Sequence, residues 1–151
     1  MTKNKRRAFL TGAAAVGAVA AAKTGRAHDE KPAKKVHWKD GKRPEKTPLF
    51  SGITSYGGLV FVAGIGAHFE GDIKAHTKHV LDEIQQRLES VGSSMDKVVK
   101  CNVYLRDIKD FAAMNEVYKT YFKAPYPART TIQAGALPVG IAVEIECVAR
   151  K

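Results

Sequence analysis

Only two cysteines, Cys101 and Cys147, occur among the 151 residues, and no Cys-x-x-Cys spacing exists. That leaves no disulfide scaffold and no thiolate-rich zinc site. Long hydrophobic runs are also missing. The longest largely apolar stretch, Ala8 to Ala22, is 15 residues of mostly Ala and Gly, short of the ~20 strongly apolar residues that a membrane-spanning helix needs. No stable membrane anchor is expected. There is no Walker loop and no nucleophile elbow, and Gly64-Ile65-Gly66 supplies two glycines without the third of a dinucleotide fingerprint. No internal repeat is visible.

What is present fits a single soluble domain. The chain is 44% hydrophobic and 26% charged, enough to bury one core and too short for two ordinary domains. Its formal charge is +10, a balance that would ordinarily point to nucleic acid or an anionic membrane surface. The distribution argues otherwise. Residues 1–27 carry +6 with no acid, residues 28–48 carry +3, and residues 49–151 carry only +1. No nucleic-acid partner is expected, because the part that folds is almost neutral and shows no basic-aromatic stripe.

Residues 1–27 have the three zones of an export signal: a basic start (Lys3, Lys5, Arg6, Arg7), the Ala-rich stretch, and small residues around Gly25-Arg26-Ala27. Within it, Lys5-Arg6-Arg7-Ala8-Phe9-Leu10-Thr11 resembles the twin-arginine export motif, with Lys where Ser or Thr usually precedes the pair. Cleavage after Ala27, or alternatively Ala22, and an exported, periplasmic protein handled by the export machinery are expected. The twin-arginine route carries folded proteins, and both cysteines lie in apolar strand-like runs. Two buried free thiols are therefore favoured over a disulfide.

Residues 28–48, with Pro32, Pro44, Pro48 and many charges, read as an extended, partly mobile linker. The domain is assigned to residues 49–151. Gly57-Gly58 followed by Leu59-Val60-Phe61-Val62-Ala63 predicts a hairpin over 49–64. Ile73, Thr77, Val80, Leu81, Ile84, Leu88 and Val91 recur at helical steps between Asp72 and Gly92, predicting a five-turn amphipathic helix that Gly92 ends. Val98 to Arg106 alternates, placing Val99, Cys101, Val103 and Leu105 on one buried face. Asp110 is the expected N-cap of a second helix carrying Phe111, Met114, Val117, Tyr118, Tyr121 and Phe122, which Pro125 and Pro127 stop. Two strands, near Arg129 to Ala134 and Ile141 to Ala149, complete an α+β sheet with two helices packed on one face.

His68, His76 and His79 cluster in sequence, but Lys74 and Lys78 beside them disfavour a cation. Solvated surface histidines are expected, and no metal site. A sharper feature is Pro127-Ala128-Arg129-Thr130-Thr131-Ile132-Gln133-Ala134-Gly135-Ala136-Leu137-Pro138, then Ile141-Ala142-Val143-Glu144-Ile145-Glu146. Arg129 at a strand start can hold a carboxylate through two parallel hydrogen bonds, and Glu144 on an adjacent strand can orient or deprotonate water. On residue type alone, both are more often ordinary surface residues.

That stretch closely resembles the signature of the Rid (YjgF-type) family of enamine/imine deaminases. The likeness runs from about Leu49 to Arg150, taking in Gly57 to Gly64, Val103-Tyr104-Leu105-Arg106-Asp107, Phe111 and Asn115. The resemblance implies a chorismate-mutase-like fold, a homotrimer with sites in the clefts between subunits, and hydrolysis of reactive enamines or imines to 2-keto acids and ammonia. Arg129 would bind the substrate carboxylate and Glu144 would position water, with Phe50, Ala63, Gly64, Asn115 and Thr131 around the substrate. No metal or organic cofactor is implied. Phe50 stands where a Tyr is often found, Ala63 where a Ser is, and Thr131 where a Cys is; each change alters hydrogen bonding and puts substrate preference in question. A non-catalytic trimer binding a small carboxylate is the alternative, with ribonuclease activity ranked below it.

Overall fold

The computed structural model describes residues 31–138 and 140–151. The leader, its cleavage and its export role lie outside the described residues. The elements run β1 (Lys35–His37), β2 (Ile53–Tyr56), β3 (Leu59–Gly66), α1 (Ile73–Glu89), β4 (Val98–Leu105), α2 (Phe111–Tyr118), β5 (Ala128–Gln133) and β6 (Val143–Arg150). The strands form one sheet in the order β1-β2-β3-β6-β4-β5, antiparallel except for the β4–β5 pair. Since β3 and β4 both oppose β6, they run parallel to each other. Consequently β3-α1-β4 and β4-α2-β5 are successive crossover units, and the usual right hand of such units puts both helices on the same side of the sheet. The result is the expected α+β layer arrangement.

The helix α1 forms because its apolar residues fall on one stripe. Val80, Leu81, Ile84 and Leu88 are at most 1% exposed, each worth about 1.5–3 kcal/mol when fully buried. Asp72 caps its start by accepting from the Ala75 backbone N–H at 2.8 Å. At the other end Gly92 takes φ +77°, and Ser93 N–H donates back to the Leu88 carbonyl at 2.9 Å. Only a residue without Cβ adopts that left-handed turn freely.

Four expectations are corrected. The stretch 28–48 is not merely a linker: Lys35–His37 pairs with β2 as an edge strand, and His37 Nε2 lies 2.8 Å from Ser55 Oγ. Val99 is exposed and Val98 buried, because the β4–β6 register shifts between Val98 and Lys100 and reverses the alternation at that point. Asp110 makes no capping bond. A short 3-10 turn, Ile108–Asp110, precedes α2, and Asp107 caps it by accepting from Lys109 N–H at 2.9 Å.

The fourth concerns His76, which is 2% exposed rather than solvated. Its Nε2 lies 2.9 Å from the Phe69 carbonyl, and its Nδ1 accepts from the Ala142 backbone N–H at 3.1 Å. An acceptor at Nδ1 fixes the donor at Nε2, so one neutral tautomer serves both bonds. His76 thus pins α1 to the residues leading into β6. His68 and His79 are exposed as expected, and among the described residues no three His, Cys, Asp or Glu converge as metal ligands. Cys101 and Cys147 are free and buried, opposite each other on β4 and β6. Burial pushes the Cys147 thiol up to about 12, and Cys101 beside it adds to the shift.

Candidate functional site

Glu144 is built into β6 between Val143 and Ile145, both fully buried against the helices. Strand alternation therefore turns Glu144 onto the helix-free face of the sheet. It is half-buried there, opposite Gly66 on β3 and Tyr104 on β4. Its carboxyl folds back over Gly64: a Cβ built at Gly64 would lie 2.8 Å from Glu144 Cδ and 3.1 Å from Cγ, with Oε1 nearer still. Only glycine leaves that room.

The β3–β6 register shifts between Val62 and Ile65, so Ala63 and Gly64 form an irregularity beneath the carboxyl. Bulges of this kind re-aim side chains and are common beside functional sites. The Ala63 N–H donates to the Gly52 carbonyl at 3.0 Å, which brings the Phe50–Gly52 segment alongside. Phe50 itself is 72% exposed. Ser51, Phe61, Ala63, Lys100, Asn102 and Glu146 help line a hollow of about 300 Å³ on this face. Glu146 is already committed, accepting from Asn102 Nδ2 at 2.7 Å and from the Tyr104 hydroxyl at 3.1 Å. Burial, Glu146 and then Glu144 hold the Tyr104 phenol above its ordinary value. Among the described residues, the Glu144 carboxylate has no hydrogen-bond or ion-pair partner.

Arg129 sits in a different place. On β5 it lies opposite Cys101 of β4, which is fully buried, so it projects toward the helices. Its guanidinium carbon is 4.5 Å from the centre of the Tyr118 ring and 5.6 Å from that of Phe111. Asn115 falls between these residues on α2 at i+4 from Phe111, which places it on the same helical stripe. Two residues along β5, Thr131 faces the same way, and its hydroxyl is buried without a hydrogen-bond partner. A buried hydroxyl left unpaired is costly and calls for an explanation. A ligand oxygen held by Arg129 would supply one.

The sequence-predicted residues thus form two groups, Phe50, Ala63, Gly64 and Glu144 on one side, and Asn115, Arg129 and Thr131 on the other. Arg129 and Glu144 are not on adjacent strands, since β4 lies between β5 and β6. They also project from opposite faces. Sequence reasoning missed the aromatic surface beneath Arg129. Its signal lies in the spacing of Phe111, Asn115 and Tyr118 at i, i+4 and i+7. A larger hollow of about 800 Å³ lies between α1 and α2 and is lined by residues such as Lys74, Lys78 and Glu116, but by none of these groups.

The chain is similar to known proteins along most of its length. The family model described as Endoribonuclease L-PSP matches residues 41–151. A RutC family protein of Pyrococcus abyssi is 40% identical over 117 residues, covering 73% of this chain and 92% of its own. The 2-iminobutanoate/2-iminopropanoate deaminase of Capra hircus is 44% identical over 79 residues, 52% of this chain and 58% of its own. The crystal structure of RidA from the Antarctic bacterium Psychrobacter sp. superposes with a TM-score of 0.68 at 35% identity, over 78% of this chain and 99% of that one. The chain therefore belongs to the Endoribonuclease L-PSP family, the family of the Rid proteins whose motif it carries.

Proposed function

We propose that this protein hydrolyses small 2-imino acids and their enamine tautomers to 2-keto acids and ammonia, in clefts formed between subunits of a homotrimer. The observation that carries this reading is the presence of two unengaged groups suited to the chemistry: among the described residues, a guanidinium with no acid partner and a half-buried carboxylate with none. Because they project from opposite faces of one sheet, one chain cannot apply both to one small substrate. A second copy must bring its Glu144 group to the first copy's Arg129 group. Leu59, Phe61 and Ile132, 38–47% exposed on the helix-free face, supply apolar surface for such an assembly. Names borne by relatives support the reaction class.

Arg129 binds the substrate carboxylate with two in-plane N–H donors and fixes the imine carbon. Glu144 takes a proton from water as the water oxygen bonds to that carbon, and the C=N electron pair moves to nitrogen, which receives that proton from Glu144. In the resulting carbinolamine Glu144 takes the hydroxyl proton as the oxygen electron pair forms C=O, the C–N bond breaks, and that proton passes to the departing nitrogen, which leaves as ammonia. No redox change occurs, so no cofactor is needed for the balance. The 1–27 leader supports an exported, periplasmic location, and exchanging Arg6 and Arg7 for Lys should retain a fused reporter in the cytoplasm.

The test generates 2-iminobutanoate with an amino-acid oxidase and follows its decay. Acceleration by the protein that Arg129→Ala abolishes is the expected result; an imine lifetime unchanged by the wild-type protein refutes the reading. Ribonuclease activity is less well supported, given the +1 charge of residues 49–151. RNA cleavage that survives repurification and disappears in Glu144→Ala would reverse that order.

A further inference from the structure

We propose that Tyr118, with Phe111, is a positioning residue for Arg129: the two rings hold the guanidinium by its faces so that its edge stays free for a carboxylate. The inference rests on the reading of Arg129 as the carboxylate anchor. An arginine can be fixed in place in two ways. An acid partner fixes it through its N–H donors, and then those donors are spent. An aromatic partner fixes it through the flat π-face of the guanidinium, and then all five donors remain.

The structure has the second arrangement. Both ring centres lie within about 6 Å of the guanidinium carbon, the range of an effective cation–π contact. Among the described residues no carboxylate pairs with Arg129. Tyr118 is itself immobilised: it is 6% exposed, and its ring is backed by Phe122 with centroids 4.6 Å apart and an interplanar angle of 34°. The Tyr118 ring that Arg129 lies over is thus itself packed against Phe122 in the core. Phe111, 41% exposed, is the second ring near the guanidinium. The contact uses the Tyr118 ring rather than its hydroxyl, which is buried next to the Cys101 thiol.

Three variants test this: Tyr118→Phe keeps the ring, Tyr118→Leu removes it, and Phe111→Leu removes the half-exposed ring where folding is not at stake. Tyr118→Phe should behave as wild type. Tyr118→Leu and Phe111→Leu should raise KM for the imine, and Kd for 2-oxobutanoate, by about tenfold each, while kcat changes little because the same carboxylate contact is made in ground and transition states. Arg129 Nε–H should show an upfield ring-current shift by NMR that Tyr118→Leu removes and Tyr118→Phe keeps. If wild type binds 2-oxobutanoate and both Leu variants bind it equally well, the positioning role is overturned while the Arg129 reading stands. If wild type neither binds nor turns over, the Arg129 reading fails and carries this inference down with it. A Tyr118→Leu chain that does not fold leaves Phe111→Leu and the wild-type ring-current shift to decide.

Discussion

Two glycines in β3 offer a separation of catalytic from structural consequences. Gly64→Ala places a methyl against the Glu144 carboxyl, 2.8 Å from Cδ and 3.1 Å from Cγ. The obstacle is the far end of a half-buried, flexible side chain, and Gly64 does not need a left-handed backbone. Glu144 can therefore move aside at small cost, offset by the gain of about 0.5–1 kcal/mol from replacing a strand glycine. The melting temperature should change by only a few degrees at most. Activity should not survive so well, because a shift of about 1 Å in a group that places water can cost about 10²-fold in rate.

Gly66→Ala is the control. There the methyl would sit 2.7 Å from both Cδ1 and Cγ2 of Ile141, and 3.2 Å from its Cβ. Ile141 is 2% exposed and β-branched, so it cannot swing away, and overpacking of this kind costs about 1–3 kcal/mol. At about 4 °C per kcal/mol for a chain of this size, the melting point should fall by about 4–12 °C. Imine-decay kinetics and calorimetry on the two variants check both arms. A Gly64→Ala protein with wild-type kcat/KM, or one whose melting point falls as far as that of Gly66→Ala, refutes the placement of Glu144 over Gly64.

Removing the buried imidazole in His76→Leu strands the Phe69 carbonyl and the Ala142 N–H, and should cost about 2–4 kcal/mol in a urea titration. Asp107→Ala should cost about 1 kcal/mol and Asp110→Ala distinctly less, since only Asp107 caps the turn before α2. Both cysteines should resist iodoacetamide at pH 8 in the native protein and label fully in urea, as burial lifts both thiols above the ordinary value of 9.0. Because the folded thiols hold their protons longer than the unfolded ones, their contribution is complete below about pH 9 and is lost at higher pH, for Cys147 as pH rises toward 12. Cys147→Ala should flatten that alkaline decline.

Much of the fold was legible because its periodicities are strong. The α1 stripe and its Gly92 stop were local signals, and β3 and β6 were marked by apolar runs and alternation. What failed depended on distant partners. Lys35–His37 looks like linker because its strand identity comes from the β2 edge it meets. Val99 is inverted by a bulge in β4 that shows only in its pairing with β6, and His76 is buried because the Phe69 and Ala142 backbones need its two nitrogens. The candidate site residues were legible through their motif, but their separation onto two faces was not. Consecutive strands β5 and β6 suggest neighbours, and only the crossover through β4 shows that they are not.

The most direct test of that separation is subunit mixing. Arg129→Ala and Glu144→Gln are each expected to be inactive as homotrimers, since every cleft then lacks one of the two groups. Unfolding them together in equal amounts and refolding should restore about one quarter of wild-type activity, because a cleft works when it takes Arg129 from one variant and Glu144 from the other. Mixed trimers, confirmed by native mass spectrometry, that remain as inactive as the separate variants would contradict a site shared between two chains.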